Sequence, residues 1–156
     1  MEDLTRRLSI HALVGLDTSI WIYHLEANER YLGLTTQILN AVRVGRPPAL
    51  ISVITLMELN VRPYKLNQPG VALHYEAIIA NFPNLQILDV DPPIARRAAQ
   101  LRAAYGLRPA DALHVATSLV AGATAWVTND RGLSRLSPHI DVIILDDALG
   151  QPSPTR

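Results

Sequence analysis

The chain has no cysteine, a single lysine (Lys65) and a formal net charge of zero over its 156 residues. Without cysteine there is no disulfide scaffold, no thiolate nucleophile and no cysteine-ligated zinc or iron–sulfur centre. The same absence fits a cytoplasmic protein, since disulfides are rare there. Without net charge there is no global field to gather a polyanion, so any nucleic-acid binding must be local. With one lysine, recognition of phosphate falls to arginine, whose fork also serves surface ion pairs. No uninterrupted apolar run approaches the roughly 20 residues of a membrane span. His11, Gly15 and Asp17 break the first apolar stretch, which makes a poor secretory signal. There is no G-x-G-x-x-G after a strand-like segment and no His-x-x-x-His pair, so a dinucleotide enzyme and a zinc hydrolase are unsupported.

What is present is a folding composition: 49% apolar residues and 18% charged, enough for one domain with a core. The stretch Arg108–Asp130, RPADALHVATSLVAGATAWVTND, organises the rest. Pro109 suits a first helical turn, Leu113, Ala116, Thr117 and Val120 follow at helical spacing, and Gly122 is a natural stop. Ala125-Trp126-Val127 then reads as a short buried strand ending in the turn residues Thr128-Asn129-Asp130.

The same alternation runs along the chain. Residues 1–10 read as a loosely held extension and 11–149 as the domain, with a flexible Pro/Ser-rich tail from 150 to 156. Strands are expected at Ala12–Leu16, Ala49–Ile51, Leu85–Leu88 and Val142–Leu145 besides Ala125–Val127. Helices are expected at Ile20–Glu26, Tyr31–Val44, from Ser52 to just before Pro63, at Val71–Phe82, and from Asp91 through Tyr105. Tyr64–Gly70 reads as a loop, and a short helical turn lies near Leu133. Strands alternating with helices imply an α/β fold: three layers, α/β/α, around a central, mainly parallel sheet of about five strands. Right-handed crossovers place every strand C-terminus on one edge, where ligands bind in such sheets.

Four acids fall on that edge. Asp17 follows the first strand, Glu58 lies in the helix after the second, Asp111 opens the helix of the organising stretch, and Asp130 follows its strand. Each has a structural alternative: Asp17 as a helix cap, Asp111 as an acid favoured by a helix N-terminus, Asp130 as a turn former. Glu58, set among Ile54, Leu56, Met57 and Leu59, is harder to explain that way. Two unit charges about 4 Å apart repel by roughly 4 kcal/mol at an effective dielectric near 20. Carboxylates gathered in one cleft therefore take up protons or a cation, and all-oxygen ligands suit Mg²⁺ or Mn²⁺. A cation so held implies phosphodiester hydrolysis.

LDTSIWIYHL, ISVITLMELN, RPADALHVATSL and WVTNDRGLSRL, in that order and spacing, closely resemble the PIN-domain ribonucleases, especially the VapC-type toxins, from about Leu13 to Leu145. The resemblance implies that Asp17, Glu58, Asp111 and Asp130 are the acidic quartet holding one or two Mg²⁺ or Mn²⁺ ions. It implies that the Thr128 hydroxyl supports the site, with Thr18 or Ser19 in a like role beside Asp17, and that Asn129 shapes the turn. It further implies metal-dependent endonucleolytic cleavage of RNA, a homodimer, and inhibition by a VapB-type antitoxin. Two alternatives are a PIN nuclease of RNA processing that is no toxin, and a PIN fold that binds RNA or protein without cutting.

Arg62, Lys65, Arg108, Arg131 and Arg135 are expected near the edge, either holding RNA phosphates or pairing with neighbouring acids. Trp21, Tyr23 and Tyr64 are stacking or interface candidates, with core packing favoured for Trp21. His114, three residues after Asp111, reads as a hydrogen-bonded structural histidine. A haloacid-dehalogenase-like phosphatase needs a second Asp where Ser19 stands, and a receiver-like site needs an acid pair and a lysine that are absent.

Overall fold

The computed structural model describes residues 4–150. In chain order it contains α1 (Leu4–Ser9), β1 (Val14–Leu16), α2 (Thr18–Leu25), α3 (Leu32–Arg43), β2 (Ala49–Ser52), α4 (Ile54–Lys65) and α5 (Pro69–Ala80). Then follow β3 (Leu85–Leu88), α6 (Pro92–Tyr105), α7 (Pro109–Val120), β4 (Ala125–Thr128), a 3-10 turn (Arg131–Leu136), β5 (Asp141–Ile144) and α8 (Leu145–Ala148). The five strands form one sheet in the order β3-β2-β1-β4-β5, every pair parallel. The expected three-layer α/β/α architecture is what forms, with a sheet wholly rather than mainly parallel.

The three inner strands, β1, β2 and β4, are short and buried on both faces, as covered parallel strands must be, while the edge strands β3 and β5 are partly exposed. Val14, Leu16, Ala49, Ile51, Val127 and Ile143 point into one core beneath α1, α2 and α3. Leu50 and Trp126 point the other way, into a second core with Ile94, Leu101, Val115 and Leu136. Gly15, in mid-strand, lets α7 approach: a Cβ there would lie 2.0 Å from Ser118 Oγ and 2.9 Å from both Ser118 Cβ and Trp126 Cε3. A strand glycine marks such a close approach. It seats α7 against the central strand.

Several boundaries follow the local chemistry. Asp91 caps α6, its carboxylate accepting from the Ile94 N–H at 3.1 Å. Gly122 adopts φ 86°, ending α7 as expected. The Ser52 hydroxyl accepts from the Ile54 N–H at 3.2 Å and so serves the start of α4.

Two expectations fail. The helix expected to stop before Pro63 runs on to Lys65 with Pro63 inside it, so Tyr64–Gly70 is not all loop. Pro63 lacks an N–H for the preceding turn, but its ring is buried, and packing outweighs the lost bond. Pro69 then opens α5, where a missing N–H costs nothing. The segment before the domain is likewise not loose where described: α1 sinks Leu4 and Leu8 into the first core. The expected tail beyond Gly150 lies outside the described residues.

A polar clip fastens α1 at the far edge of the sheet. Arg7 Nη2 donates to Asp141 Oδ1 at 2.7 Å and to the Val142 carbonyl at 3.2 Å. His11 Nε2 lies 3.0 Å from Asp141 Oδ2 and its Nδ1 2.8 Å from Thr124 Oγ1. Burial pushes the Asp141 pKa up, but the Arg7 hydrogen bond and charge, with His11, outweigh it and leave the carboxyl below its ordinary value. A depressed pKa contributes stability that is full above the unfolded value and lost as pH falls through the folded one. Asp141→Asn is therefore expected to cost under about 1 kcal/mol near neutrality, as a partly exposed pair does. Urea denaturation of both proteins should show that difference shrinking below about pH 4, the ordinary carboxylate range.

Candidate active site

The strand order changes direction at the seam of β1 and β4: α2 leaves β1, and β2 and β4 lie on its opposite sides. Ligands bind outside strand C-termini at such switch points. Asp17 stands there, its N–H bonded to the Val127 carbonyl at 2.9 Å. It occupies the cap position of α2, yet its side chain makes no capping bond. Instead Oδ2 accepts from the buried Thr128 hydroxyl at 2.6 Å. The same Thr128 oxygen accepts from the Asp130 N–H at 3.1 Å. One hydroxyl thus ties the first acid to the turn carrying the last.

Glu58 reaches the seam from α4. Its Oε1 accepts from the Thr18 hydroxyl at 2.9 Å and from His114 Nε2. His114 comes from α7, one turn after Asp111, and its side chain is 1% exposed. The ring lies beside Trp126, centroids 6.0 Å apart. Asp111 accepts from Arg108 Nε at 3.2 Å, and Asp130 from the Gly132 N–H at 2.8 Å, opening the 3-10 turn.

The electrostatics separate the two inner acids. Burial raises the Asp17 pKa, and the neighbouring Glu58 charge adds to that; Thr128 and His114 work against it without prevailing. Glu58 is moved down, foremost by the His114 hydrogen bond, which prevails over burial with help from His114's charge, Thr18 and Arg108. Asp17 is thus a carboxylate whose charge the fold disfavours. A nearby cation would relieve it.

Among the described residues, no group of three or more His, Asp or Glu side chains is placed to hold a metal ion as it stands. Each of the four carboxylates is turned to a protein donor: Thr128, Thr18 with His114, Arg108, and the Gly132 N–H. The donor set still fits a hard divalent ion in chemistry, being carboxylate oxygen, and in charge, through Asp17 and Glu58. To share an ion with them, Asp111 and Asp130 would have to turn from Arg108 and the Gly132 N–H. Both are accessible, the Asp111 side chain being 25% exposed and Asp130 lying at the surface.

Of the expected supporting residues, Thr18 and Thr128 bond to acids, while the buried Ser19 hydroxyl has no partner. Asn129 Oδ1 accepts from the Asp146 N–H at 3.0 Å, fixing the junction of β4 with α8. Arg108 and Arg131 pair with Asp111 and Asp147. Arg62 and Lys65 lie in the last turn of α4 rather than in a loop, and Arg62 pairs with Glu26. Trp21 is buried in the first core, whereas Tyr64 is exposed. Asp146 escaped the sequence reading; it accepts from Tyr31 Oη at 2.8 Å, a contact 115 positions apart that no local pattern signals.

The sequence matches the PIN domain family over residues 14–137. No curated protein matches it in sequence. Among solved structures, it resembles a chain of a toxin–antitoxin complex from Klebsiella pneumoniae at 25% identity, covering 86% of this chain and 97% of that one, with a TM-score of 0.64. A chain of VapBC from Salmonella typhimurium, solved bound to DNA, is 24% identical over 85% and 97%, with a TM-score of 0.65. VapBC2 from Rickettsia felis, bound to a DNA fragment from its promoter, gives 20% over 83% and 96%, with a TM-score of 0.66. The last two likenesses bear on the fold alone. With a match across most of its length and the α/β/α sheet in place, this chain belongs to the PIN domain family.

Proposed function

We propose that the chain is a divalent-metal-dependent endoribonuclease, the VapC-type toxin of a pair with a VapB-type antitoxin, acting in the cytoplasm as a homodimer. The observation that carries the chemistry is the convergence at the switch point of Asp17, bonded to Thr128, and Glu58, bonded to Thr18 and His114: two carboxylates brought together from distant segments. The partnership is supported by the likeness to a chain of the Klebsiella pneumoniae toxin–antitoxin complex.

In this reading Asp17, Glu58, Asp111 and Asp130 hold one or two Mg²⁺ or Mn²⁺ ions. A bound ion of this kind activates a water and neutralises phosphoryl charge. Thr128 orients Asp17, and Asp111 leaves Arg108 to complete the ligand set. Arg108 and Arg131, each freed from its acid, face the flanking phosphates of the RNA, with Arg62 and Lys65 further along α4. A partner protein has an apolar surface to cover in Met57, Val61 and Tyr64, one face of α4 at helical spacing and all exposed.

One observation favours a second reading, a PIN domain that binds RNA or protein without cutting: every acid already has a protein donor. Incubating the purified, antitoxin-free protein with structured RNAs separates the two. We expect cuts in Mg²⁺ or Mn²⁺ that leave 5′-phosphates, and none in EDTA. RNA retained intact in every metal condition, with binding preserved, would favour the second reading.

A further inference from the structure

Glu58 is the only member of the quartet held by two side chains from two other helices, and His114 is the more deeply buried of these. The Thr18 hydroxyl and His114 Nε2 converge on the same oxygen, Oε1, and Oε2 takes neither. The His114 ring is 1% exposed, and its Nδ1 is buried without a partner. A buried polar atom left unpaired costs stability, so the ring's orientation is not explained by its own hydrogen bonding except through Nε2. Gly15 and Ser118 hold this part of α7 against β1, which keeps the ring from withdrawing. With Nδ1 partnerless and Nε2 set against a carboxylate oxygen, the tautomer assigned to the ring is the one that carries its hydrogen on Nε2.

We propose that His114 is a positioning residue for Glu58, fixing Oε1 so that Oε2 is presented to the cation. The inference rests on one part of the nuclease reading, that the quartet holds a divalent cation. It differs from a role in packing alone by naming one atom: the donor must sit where Nε2 sits. Gln carries an amide N–H close to that place and Asn carries one nearer to Nδ1, while the two substitutions are alike in polarity.

The test measures Mn²⁺ affinity by electron paramagnetic resonance of the free ion, with thermal melts of the metal-free proteins alongside. Outer partners of metal ligands commonly govern affinity by about 10–100-fold. His114→Gln is expected to keep wild-type affinity within about threefold, and His114→Asn to lose about tenfold or more at a matched melting temperature. Thr18→Val should also weaken Mn²⁺, with Thr18→Ser restoring it, and this pair decides the matter if the histidine variants do not fold. Equal affinity in the Gln and Asn variants, or in Thr18→Val and Thr18→Ser, would overturn the proposal. Wild-type protein that takes up no Mn²⁺ overturns the nuclease reading and the positioning role together. Mn²⁺ uptake without RNA cleavage removes the nuclease reading and leaves the positioning role standing.

Discussion

Asp17→Asn should reduce metal-dependent RNA cleavage by about a hundredfold or more, the scale seen when one preorganised electrostatic group is removed. The same variant should be more stable than the wild type when both are free of metal. The reason is that the fold disfavours the Asp17 charge, first by burial and then by Glu58. An amide of the same shape keeps an oxygen for the Thr128 hydroxyl, which donates at 2.6 Å, and discards the charge. Relief of strain at a functional site commonly yields about 0.5–2 kcal/mol. Paired cleavage assays and thermal melts check both halves. A variant that loses activity and stability together would mean that Asp17 is a structural acid, and that the lost cleavage reflects a damaged fold.

Gly15→Ala should be the most destabilising single methyl in the molecule's centre. The added Cβ would meet Ser118 Oγ at 2.0 Å and the Ser118 Cβ and Trp126 Cε3 at 2.9 Å each. The hydroxyl can rotate away, but the two carbons belong to α7 and to the indole packed beneath it. One of them must move. Overpacking of this kind costs about 1–3 kcal/mol, which for a chain of this size lowers the melting temperature by roughly 2–4 °C per kcal/mol. Because α7 also carries Asp111 and His114, cleavage should fall with stability. Combining Gly15→Ala with Ser118→Gly removes the contacts with α7 and should recover part of the loss, less about 1 kcal/mol for a helical glycine. A double mutant as unstable as the sum of the singles would show that the clash lies with Trp126 alone.

Much of this was legible in the sequence because it is local. The α6 and α7 starts follow from Asp91 and Pro109, and the buried strands from short apolar runs between turn residues. The parallel sheet follows from their alternation with helices, and the edge position of all four acids from that topology. What the sequence hid is long-range. Pro63 looks like a helix stop, and only burial of its ring explains why α4 continues to Lys65. The first ten residues look detachable, since nothing in LTRRLS announces that Leu4 and Leu8 enter the core or that Arg7 meets Asp141, 134 positions away. Asp17 looks like a cap. Its side chain instead turns to Thr128 across the β1–β4 seam, a choice made by the sheet pairing rather than by its neighbours. His114 reads correctly as a hydrogen-bonded histidine, but its partner, Glu58, lies 56 positions away.

The central claim is that these four acids form a cation site, and calorimetric titration of Mn²⁺ tests it most directly. The wild type should bind one or two ions, with Asp111 and Asp130 drawn from Arg108 and the Gly132 N–H, and Asp111→Asn should lose most of that binding while remaining folded. Absence of Mn²⁺ binding to the wild type, or binding unchanged in Asp111→Asn, would contradict it.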